Sequence, residues 1–596
     1  MTQKSPLDAL RSVLAERGLA GFILPRADEH LGEYLPASAE RLRWLTGFTG
    51  SAGLVVVLRD RAALFTDGRY QTQARAELDL ARFELRHLIE EPPETWLAES
   101  VRPGDAIGFD PWLHSVEGTE RLRRAVEKAG GQLVAVEPNP IDPLWTDRPA
   151  PPAAPVRAHP AQFSGEEAAA KRARIAAAIA AQGAKAAVLT APDSIAWLFN
   201  IRSDDVPFTP VPLAYALLEA NARATLFLDP ARIDPACRAH LGKEVTVEHR
   251  AAFVPALERL GAERATVLLD PRTTPACVAQ RLEAAGARIL ADQDPVALPK
   301  ACKNSVEQAG ARAAHRRDAV ALVRFLAWLD RTATSERVSE LEAARRLLAF
   351  RADGERFRGE SFPAISAAGP NGAIIHYRVS EATNRVLAAG DLYLIDSGGQ
   401  YLDGTTDVTR TVLIGEPGVE IAEQRDRYTR VLKGLIAIAT LRWPKGIAGP
   451  HLEAFARRAL WEAGLDYDHG TGHGVGSYLG VHEGPTGLSR TARPIPLAPG
   501  MILSDEPGFY LPGRWGIRLE NLVMVREEAI EGAIRPFLAF ETLTLAPFDR
   551  RLIEPKLLTE AERSWLDAYH ARVCAEIGPE LDRLDRVWLE KACAPL

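Results

Sequence analysis

DSGGQYLDGTTDVTRT, residues 396–411, carries the clearest structural signal in this chain, because it directly follows the apolar segment LYLI (392–395) and predicts a β-hairpin. Side chains alternate between the two faces of a strand, so Asp396 shares a face with apolar neighbours and should be buried. Asp403–Thr405 supplies the turn. The numbers of facing residues should then sum to about 803, which places Asp396 opposite Asp407.

Three further candidate metal ligands lie downstream of the hairpin. They are His473 in HGTGHGVGSY, Glu506 in ILSDEPGFY and Glu520 in GIRLENLVMV. Together with Asp396 and Asp407 they form a set of four carboxylates and one imidazole, whose charge balances two divalent cations. Carboxylate-rich ligation suits Mn, Co or Zn. Two such ions about 3.5–4 Å apart activate a shared water and polarise a carbonyl group.

Each candidate taken alone also has a plain structural interpretation. An aspartate is often a turn or cap residue, Glu506 could end a surface strand, and Glu520 could form an ion pair with Arg518 in the same strand. His469 and His473 are interleaved with glycine, a poor helix former, so they are not a helical zinc pair. The hairpin and the concentration of histidines beside the carboxylates favour one site.

The C-terminal half of the chain predicts helix, helix and strands, and then the same order again. Strands are expected in SFPAISAAG (361–369) and in the hairpin, and again near 501–505 and 517–525, after helices near 424–441 and 451–462. The two aspartates come from the first half and the other three candidates from the second. A metal pair would therefore lie where two similar halves meet. A further helix is expected to start at Thr559.

The N-terminal half contains a weak internal repeat. RLRWLTGFTG (41–50) resembles SIAWLFNIRS (194–203), and each precedes two strands that end in LFTDG (64–68) or LFLDP (226–230). Strands alternate with Ala-rich helical stretches, so both copies are predicted to be α/β domains. Proline-rich segments at 139–162 and 292–304 mark boundaries. We expect an α/β (α+β) chain with three domains, at 1–155, 156–302 and 303–596.

Length and composition exclude several classes of protein. The chain has 596 residues, a net charge of −7 and 25% charged residues. This charge favours neither nucleic acid nor an anionic membrane as a partner. The five cysteines form no C-x-x-C pair, which argues against a disulfide framework or a thiolate zinc site. The first residues contain no apolar signal region. A cytoplasmic protein is predicted.

These motifs together resemble the pita-bread metallopeptidases of family M24, and more closely the long, three-domain Xaa-Pro aminopeptidases. The resemblance covers nearly the whole chain and rests on KACKNSVEQAGARAAHRRDAVAL, GPNGAIIHY, DSGGQYLDGTTDVTRT, HGTGHGVGSYLGVHEGP, and SDEPGFY with GIRLEN. It implies two creatinase-like N-terminal domains before a pita-bread catalytic domain with a C-terminal helical extension. It also implies a homodimer.

The resemblance implies a role for each candidate ligand. Asp396 would bind one metal ion, and His473 and Glu506 would bind the other. Asp407 and Glu520 would bridge the two ions. Mn(II) is the expected ion, with Co(II) or Zn(II) as alternatives.

The resemblance also implies the residues that act on the substrate. Glu506 would be the general base, and His376 and His482 would stabilise the oxyanion that forms at the substrate carbonyl. His469 and Arg518 would orient the ligands.

The implied reaction is removal of the first residue of a peptide whose second residue is proline. The bond before proline is a tertiary amide without an N–H group, so peptidases that require that donor cannot use it. Three alternatives remain: a prolidase that cleaves X-Pro dipeptides, a non-catalytic peptide-binding module of the same fold, and a creatinase-like hydrolase that uses no metal. The intact set of five ligands argues against the last two.

Overall fold

The computed structural model describes residues 5–596, which form two compact units. The chain up to Ala161 together with Glu166–Ala297 makes the first unit, and Gln162–Gly165 with Leu298–Leu596 makes the second. Among residues 5–596, the helices lack the combination of length and apolar character that crossing a bilayer requires.

The first unit begins with an α/β domain built around a six-stranded sheet. Its helices are α1 (Pro6–Glu16), α2 (Arg41–Thr46), α3 (Gln71–Glu77), α4 (Pro93–Ser100) and α5 (Val116–Lys128). Its strands are β1 (Gly21–Pro25), β2 (Leu54–Leu58), β3 (Ala62–Thr66), β4 (Glu84–His87), β5 (Ala106–Phe109) and β6 (Gln132–Ala135). The strand order is β4-β3-β2-β1-β5-β6.

A second α/β domain follows, with a second six-stranded sheet. Its helices, after the short α6 (Ala161–Ser164), are α7 (Ala168–Ala181), α8 (Pro192–Phe199), α9 (Pro235–Leu241), α10 (Phe253–Ala262) and α11 (Ala276–Ala284). Its strands are β7 (Arg157–Ala158), β8 (Ala186–Leu189), β9 (Ile201–Arg202), β10 (Tyr215–Glu219), β11 (Ala224–Phe227), β12 (Val245–Glu248), β13 (Thr266–Leu269) and β14 (Arg288–Ala291).

The two sheets confirm the predicted pair of similar domains. The second has the order β12-β11-β10-β8-β13-β14, with the same pattern of parallel and antiparallel neighbours as the first. Trp44 lies on α2 and Trp197 on α8, each before the antiparallel pair. Phe65 and Phe227 occupy the matching strands β3 and β11.

The second unit has two halves, each with two helices followed by strands, as predicted. Its helices are α12 (Ala297–Ala301), α13 (Ser305–Thr332), α14 (Glu340–Ala352), α15 (Ile421–Ala439), α16 (Glu453–Trp461), α17 (Glu560–Ile577) and α18 (Arg583–Ala592). Thr559 caps α17 with the expected reciprocal hydrogen bonds to Glu562.

Strands from the two halves form separate sheets. The first half supplies β15 (Phe357–Glu360), β16 (Ile365–Ala368), β17 (Leu392–Ser397), β18 (Gly399–Tyr401), β19 (Gly404–Thr405) and β20 (Val408–Leu413). The second supplies β21 (Arg442–Pro444), β22 (Gly472–Gly474), β23 (Glu483–Leu488), β24 (Ile502–Asp505), β25 (Gly508–Leu511), β26 (Trp515–Arg518), β27 (Asn521–Glu528) and β28 (Phe537–Thr542). The sheets β16-β17-β20 and β21-β28-β27-β24-β22-β23 carry Asp396 and His473, and the other three candidate ligands directly precede or follow one of their strands.

The register of the hairpin differs from the prediction. Asp396 faces Thr409, not Asp407, and Tyr401 faces Gly404 at the turn. The turn is formed by Leu402 and Asp403, so the predicted turn at Asp403–Thr405 is wrong: Gly404 and Thr405 lie on β19. Facing residues such as Tyr401 and Gly404 have numbers that sum to 805 and not to the predicted 803. Asp407 therefore lies just before β20, beyond the last pair of the β17–β20 ladder.

Candidate active site

The structure brings the five predicted ligands together. One ligand atom each from Asp407, His473 and Glu520 lies within 4.8 Å of the other two, a spacing that fits a metal ion. His473 Nε2 is 3.5 Å from Asp407 Oδ2 and 3.5 Å from Glu506 Oε1. Asp396 joins this group through β17, whose partner strand β20 starts directly after Asp407.

Unpartnered carboxylate oxygens show that this cluster fits a cation. Within the described part of the chain, Asp396 Oδ1, Asp407 Oδ1 and Glu520 Oε1 are buried and have no hydrogen-bond partner. A buried charged group without a partner is costly, and metal binding is a common way to offset that cost. Three such oxygens in one cluster therefore fit divalent cations better than a purely structural role.

The imidazole of His473 is oriented as a metal ligand. Its Nδ1 lies 2.9 Å from the Gly474 carbonyl oxygen, which can only accept, so Nδ1 carries the proton. Nε2 faces the carboxylates, and in the neutral ring it carries the lone pair that a metal ion requires. Ser504 links the ligands further, because its hydroxyl donates to Glu506 Oε1 (3.0 Å) and accepts from the His473 N–H (2.9 Å).

Glu520 reaches the cluster through a break in its strand. The expected strand at 517–525 is wrong as a continuous element, because β26 ends at Arg518 and β27 begins at Asn521. At the break, the Glu520 N–H donates to the Thr409 carbonyl (3.1 Å), and the Thr409 hydroxyl donates to Glu520 Oε2 (2.8 Å). Contacts with the other half of the unit thus hold Glu520 in place.

Arg518 forms its ion pair with Asp396 and not with Glu520, the neighbour that an in-strand ion pair would use. Its Nη2 donates to Asp396 Oδ2 at 2.6 Å, and its Nη1 donates to the Tyr510 hydroxyl at 2.7 Å. The Tyr510 oxygen lies 2.9 Å from His469 Nε2. The chain of contacts from Asp396 to His469 fits the predicted orienting role of Arg518 and His469.

The two histidines proposed to act on the substrate, His482 and His376, lie on different segments. The His482 ring meets the His473 ring edge to face, with centroids 4.3 Å apart. The next residue, Glu483, is buried and binds Lys300 (2.9 Å) and Lys303. His376 is half-buried on the irregular loop between β16 and β17.

Sequence reasoning missed Ser504, Thr409 and Tyr510. Ser504 and Thr409 each lie two residues from a candidate ligand, which is the spacing of one strand face. That spacing could have indicated both. Tyr510 lies eight residues before Arg518 and is its diagonal neighbour in the β25–β26 pair, where Tyr510 faces Gly516 and Arg518 faces Gly508; no local pattern reveals this pairing.

Burial and mutual repulsion set the pKa values of the cluster in the absence of metal. Burial, with the nearby Asp407 charge, raises the pKa of Glu506 to about 7. The same two causes raise the pKa of Glu520 well above its usual range. Burial lowers the pKa of His473, but its contacts with Asp407 and Glu506 outweigh this effect and raise that pKa to about 9.

These shifts predict how pH affects the metal-free protein. Because the pKa of Glu506 is higher in the folded state (about 7) than in the unfolded state (about 4.5), the folded state holds extra protons in that range. The free energy of unfolding should therefore fall as pH rises from about 5 to 8. Thermal melts of chelator-treated protein should show this fall, and it should be smaller in Glu506→Gln. An equal slope in the two proteins would contradict the prediction.

Comparisons with known proteins agree with this site. Residues 6–144 and 147–307 match Creatinase/Prolidase N-terminal domain models, residues 309–527 match metallopeptidase family M24, and residues 536–596 match the C-terminal region of peptidase M24. A protein of Aspergillus fumigatus named as a probable Xaa-Pro aminopeptidase P is 40% identical, over 99% of this chain and 92% of that protein.

Two solved structures extend the comparison. X-prolyl aminopeptidase from Caenorhabditis elegans, described as a cytosolic enzyme with a di-nuclear active site, matches with a TM-score of 0.94 and 35% identity, over 99% of both chains. Dipeptidase PepE from Mycobacterium ulcerans matches with a TM-score of 0.50 and 26% identity, over 63% of this chain and 95% of that one.

The chain belongs to metallopeptidase family M24, in the form that carries Creatinase/Prolidase N-terminal domains. The family resemblance and the α/β fold class predicted from the sequence are confirmed. The protein is a hydrolase of the metallopeptidase class.

Proposed function

We propose that this protein is a dinuclear-metal aminopeptidase that hydrolyses the bond between an N-terminal residue and a penultimate proline. One observation carries the proposal: buried carboxylate oxygens without partners converge with His473 in a chain that matches Xaa-Pro aminopeptidases along nearly its full length. Substrates are therefore peptides with proline at position 2.

The five clustered residues divide naturally into the ligands of two ions. Asp396 would hold one ion, His473 and Glu506 would hold the other, and Asp407 and Glu520 would serve as ligands to both. Asp407 and Glu520 lie close to each other and to His473, and both interact electrostatically with Asp396 and Glu506, which supports a role at both ions. When bound, the two ions supply a water of lowered pKa and polarise the substrate carbonyl. Mn(II) is the proposed ion because oxygen donors dominate, with Co(II) or Zn(II) as alternatives.

Protein side chains supply the rest of the chemistry. Glu506 accepts a proton from the attacking water and delivers it to the prolyl nitrogen as that nitrogen leaves. His376 and His482 donate hydrogen bonds to the oxyanion that forms at the carbonyl. Arg518 holds Asp396 in position, and Tyr510 links Arg518 to His469.

A prolidase is the second candidate, and a direct comparison of substrates separates the two. The dipeptidase structure accounts for 63% of this chain, whereas the aminopeptidase structure accounts for 99%. We expect efficient cleavage of Arg-Pro-Pro and little cleavage of Gly-Pro. Preference for Gly-Pro would favour the prolidase, and failure to cleave either peptide with Mn(II) present would favour a binding module.

Further properties are part of the same proposal. The three domains span 1–155, 156–302 and 303–596, close to the family-model matches. The protein acts in the cytoplasm, as described for its structural relative, without nucleic acid or membrane partners. It forms a homodimer.

Replacement of His482 by alanine tests its role beside the metal ligands. Because His482 contacts His473 and is proposed to stabilise the oxyanion, we expect kcat to fall by about 100-fold or more. Metal content should stay at the wild-type value, as measured by elemental analysis. A loss of metal would instead make His482 a direct ligand.

A further inference from the structure

The loop that carries His376 depends on side-chain anchors. After a 3₁₀ turn at Gly369–Ala373, the structure assigns no helix or strand to the described residues before Leu392. Backbone hydrogen bonds hold this loop at isolated points, such as Tyr377 N–H to the Ile374 carbonyl (3.0 Å) and Leu387 N–H to the Val338 carbonyl (2.9 Å). Contacts with neighbouring side chains therefore contribute to its conformation.

Glu340, the first residue of α14, is the main anchor. It is fully buried, and both of its oxygens accept hydrogen bonds. The donors are the Ala368 N–H (2.7 Å), the Asn371 side-chain amide (2.9 Å), the Tyr377 hydroxyl (3.0 Å) and the Arg385 N–H (3.0 Å). These donors begin at the last residue of β16 and extend along the loop on both sides of His376.

Burial of the Glu340 carboxylate costs free energy because the charge loses its hydration. The hydrogen bonds from the loop offset this cost, since hydrogen bonds to an ionised acceptor are about twice as strong as those between neutral groups. The position of Glu340 at the first turn of α14 also suits a negative charge. These hydrogen bonds in turn fix the positions of the loop residues that donate them.

Tyr377 connects this anchor to the histidine. It directly follows His376, its ring packs against Ile365, Ala367 and Leu394, and its hydroxyl lies 2.9 Å from Thr383 Oγ1 as well as beside Glu340. Both ends of the Tyr377 side chain are thus fixed. The backbone of His376 is held by the fixed residue next to it.

We propose that Glu340, acting through Tyr377, is a positioning residue that sets the placement of His376 for oxyanion stabilisation. The inference rests on the proposed function of His376. It predicts that the contribution of Tyr377 to turnover is made through His376.

A double-mutant cycle tests this coupling. Tyr377→Phe removes the hydroxyl and keeps the ring, so we expect kcat for Arg-Pro-Pro to fall about tenfold, with KM and metal content nearly unchanged. In the His376→Ala background, the same substitution should have no further effect on kcat. Tyr428→Phe is the matched control, because the buried Tyr428 hydroxyl on α15 accepts from the Asp549 N–H instead of binding Glu340 or the loop. It should leave kcat unchanged in both backgrounds.

Two results would overturn the inference: an equal loss of kcat in both backgrounds, or no loss in either. Glu340→Gln provides a second test, because its amide replaces one acceptor and faces the loop's donors. It should lower kcat at least as much as Tyr377→Phe and should also lose its effect in the His376→Ala background. If wild-type protein with Mn(II) fails to cleave Arg-Pro-Pro, the proposed function itself is refuted.

Discussion

Asp407→Asn should abolish metal binding and peptidase activity together while the fold is retained. Asp407 lies 3.5 Å from His473 Nε2 and close to Glu520, and it is proposed to be a ligand of both ions. Its loss weakens both sites at once. We expect bound metal to fall from two ions per chain to nearly none. We expect kcat/KM for Arg-Pro-Pro to fall at least about 1,000-fold, the equivalent of about 4 kcal/mol.

The stability of the variant distinguishes lost metal from lost structure. Burial and, after it, the Asp407 charge raise the pKa of both Asp396 and Glu520, so repulsion destabilises the metal-free site. Loss of this repulsion in the variant is offset by loss of the His473–Asp407 contact, so the metal-free variant should melt near the temperature of metal-free wild type. Asp426→Asn, a matched change on α15 where Asp426 pairs with Arg430 (3.0 Å), should retain metal and activity. Full X-Pro activity in Asp407→Asn would show that the bridging role is wrong.

Glu506→Gln should be almost as damaging but should leave more metal in place. Glu506 is proposed to share one ion with His473 and to be the general base, and loss of a general base alone costs about 100- to 10,000-fold. Since Asp396, Asp407 and Glu520 remain, we expect about one ion per chain to stay bound. Elemental analysis and the Arg-Pro-Pro assay measure the two effects on one sample.

The number of ions retained by Glu506→Gln and by Asp407→Asn tests how the ligands divide between the two metal sites. Glu541→Gln, on β28 and paired with Arg312 at the surface, removes an equivalent charge and should behave as wild type. If Glu506→Gln kept two ions and near-normal kcat, Glu506 would be neither a ligand nor the base. If it lost both ions, the proposed division of ligands between the two sites would be wrong.

Local patterns were sufficient to predict much of the fold. The Trp44 and Trp197 motifs indicated the two similar domains, which the sheet orders confirm. Alternation along LYLID placed Asp396 on a buried strand, and it is buried on β17. These features depend on neighbours in sequence, and a single chain displays them directly.

Contacts between residues far apart in the chain could not be predicted from the sequence. The hairpin register was off by two residues because a turn can shift by one residue at little cost. The sequence predicts a continuous strand through Glu520, but the partner of Glu520, Thr409, lies 111 residues away in the chain. Alternation along the strand predicts a pair between Arg518 and Glu520, whereas Arg518 binds Asp396, 122 residues away. Side-chain partners so far apart in the chain produce no periodic pattern in the sequence around either residue.

Metal titration of chelator-treated protein tests the central claim most directly. Hydrolysis of Arg-Pro-Pro is measured as Mn(II) is added at a protein concentration well above the dissociation constant. A dinuclear aminopeptidase should be inactive without metal, gain activity as ions are added and reach a plateau at two ions per chain. Full activity without metal, or no X-Pro cleavage at any amount of metal, would contradict the account.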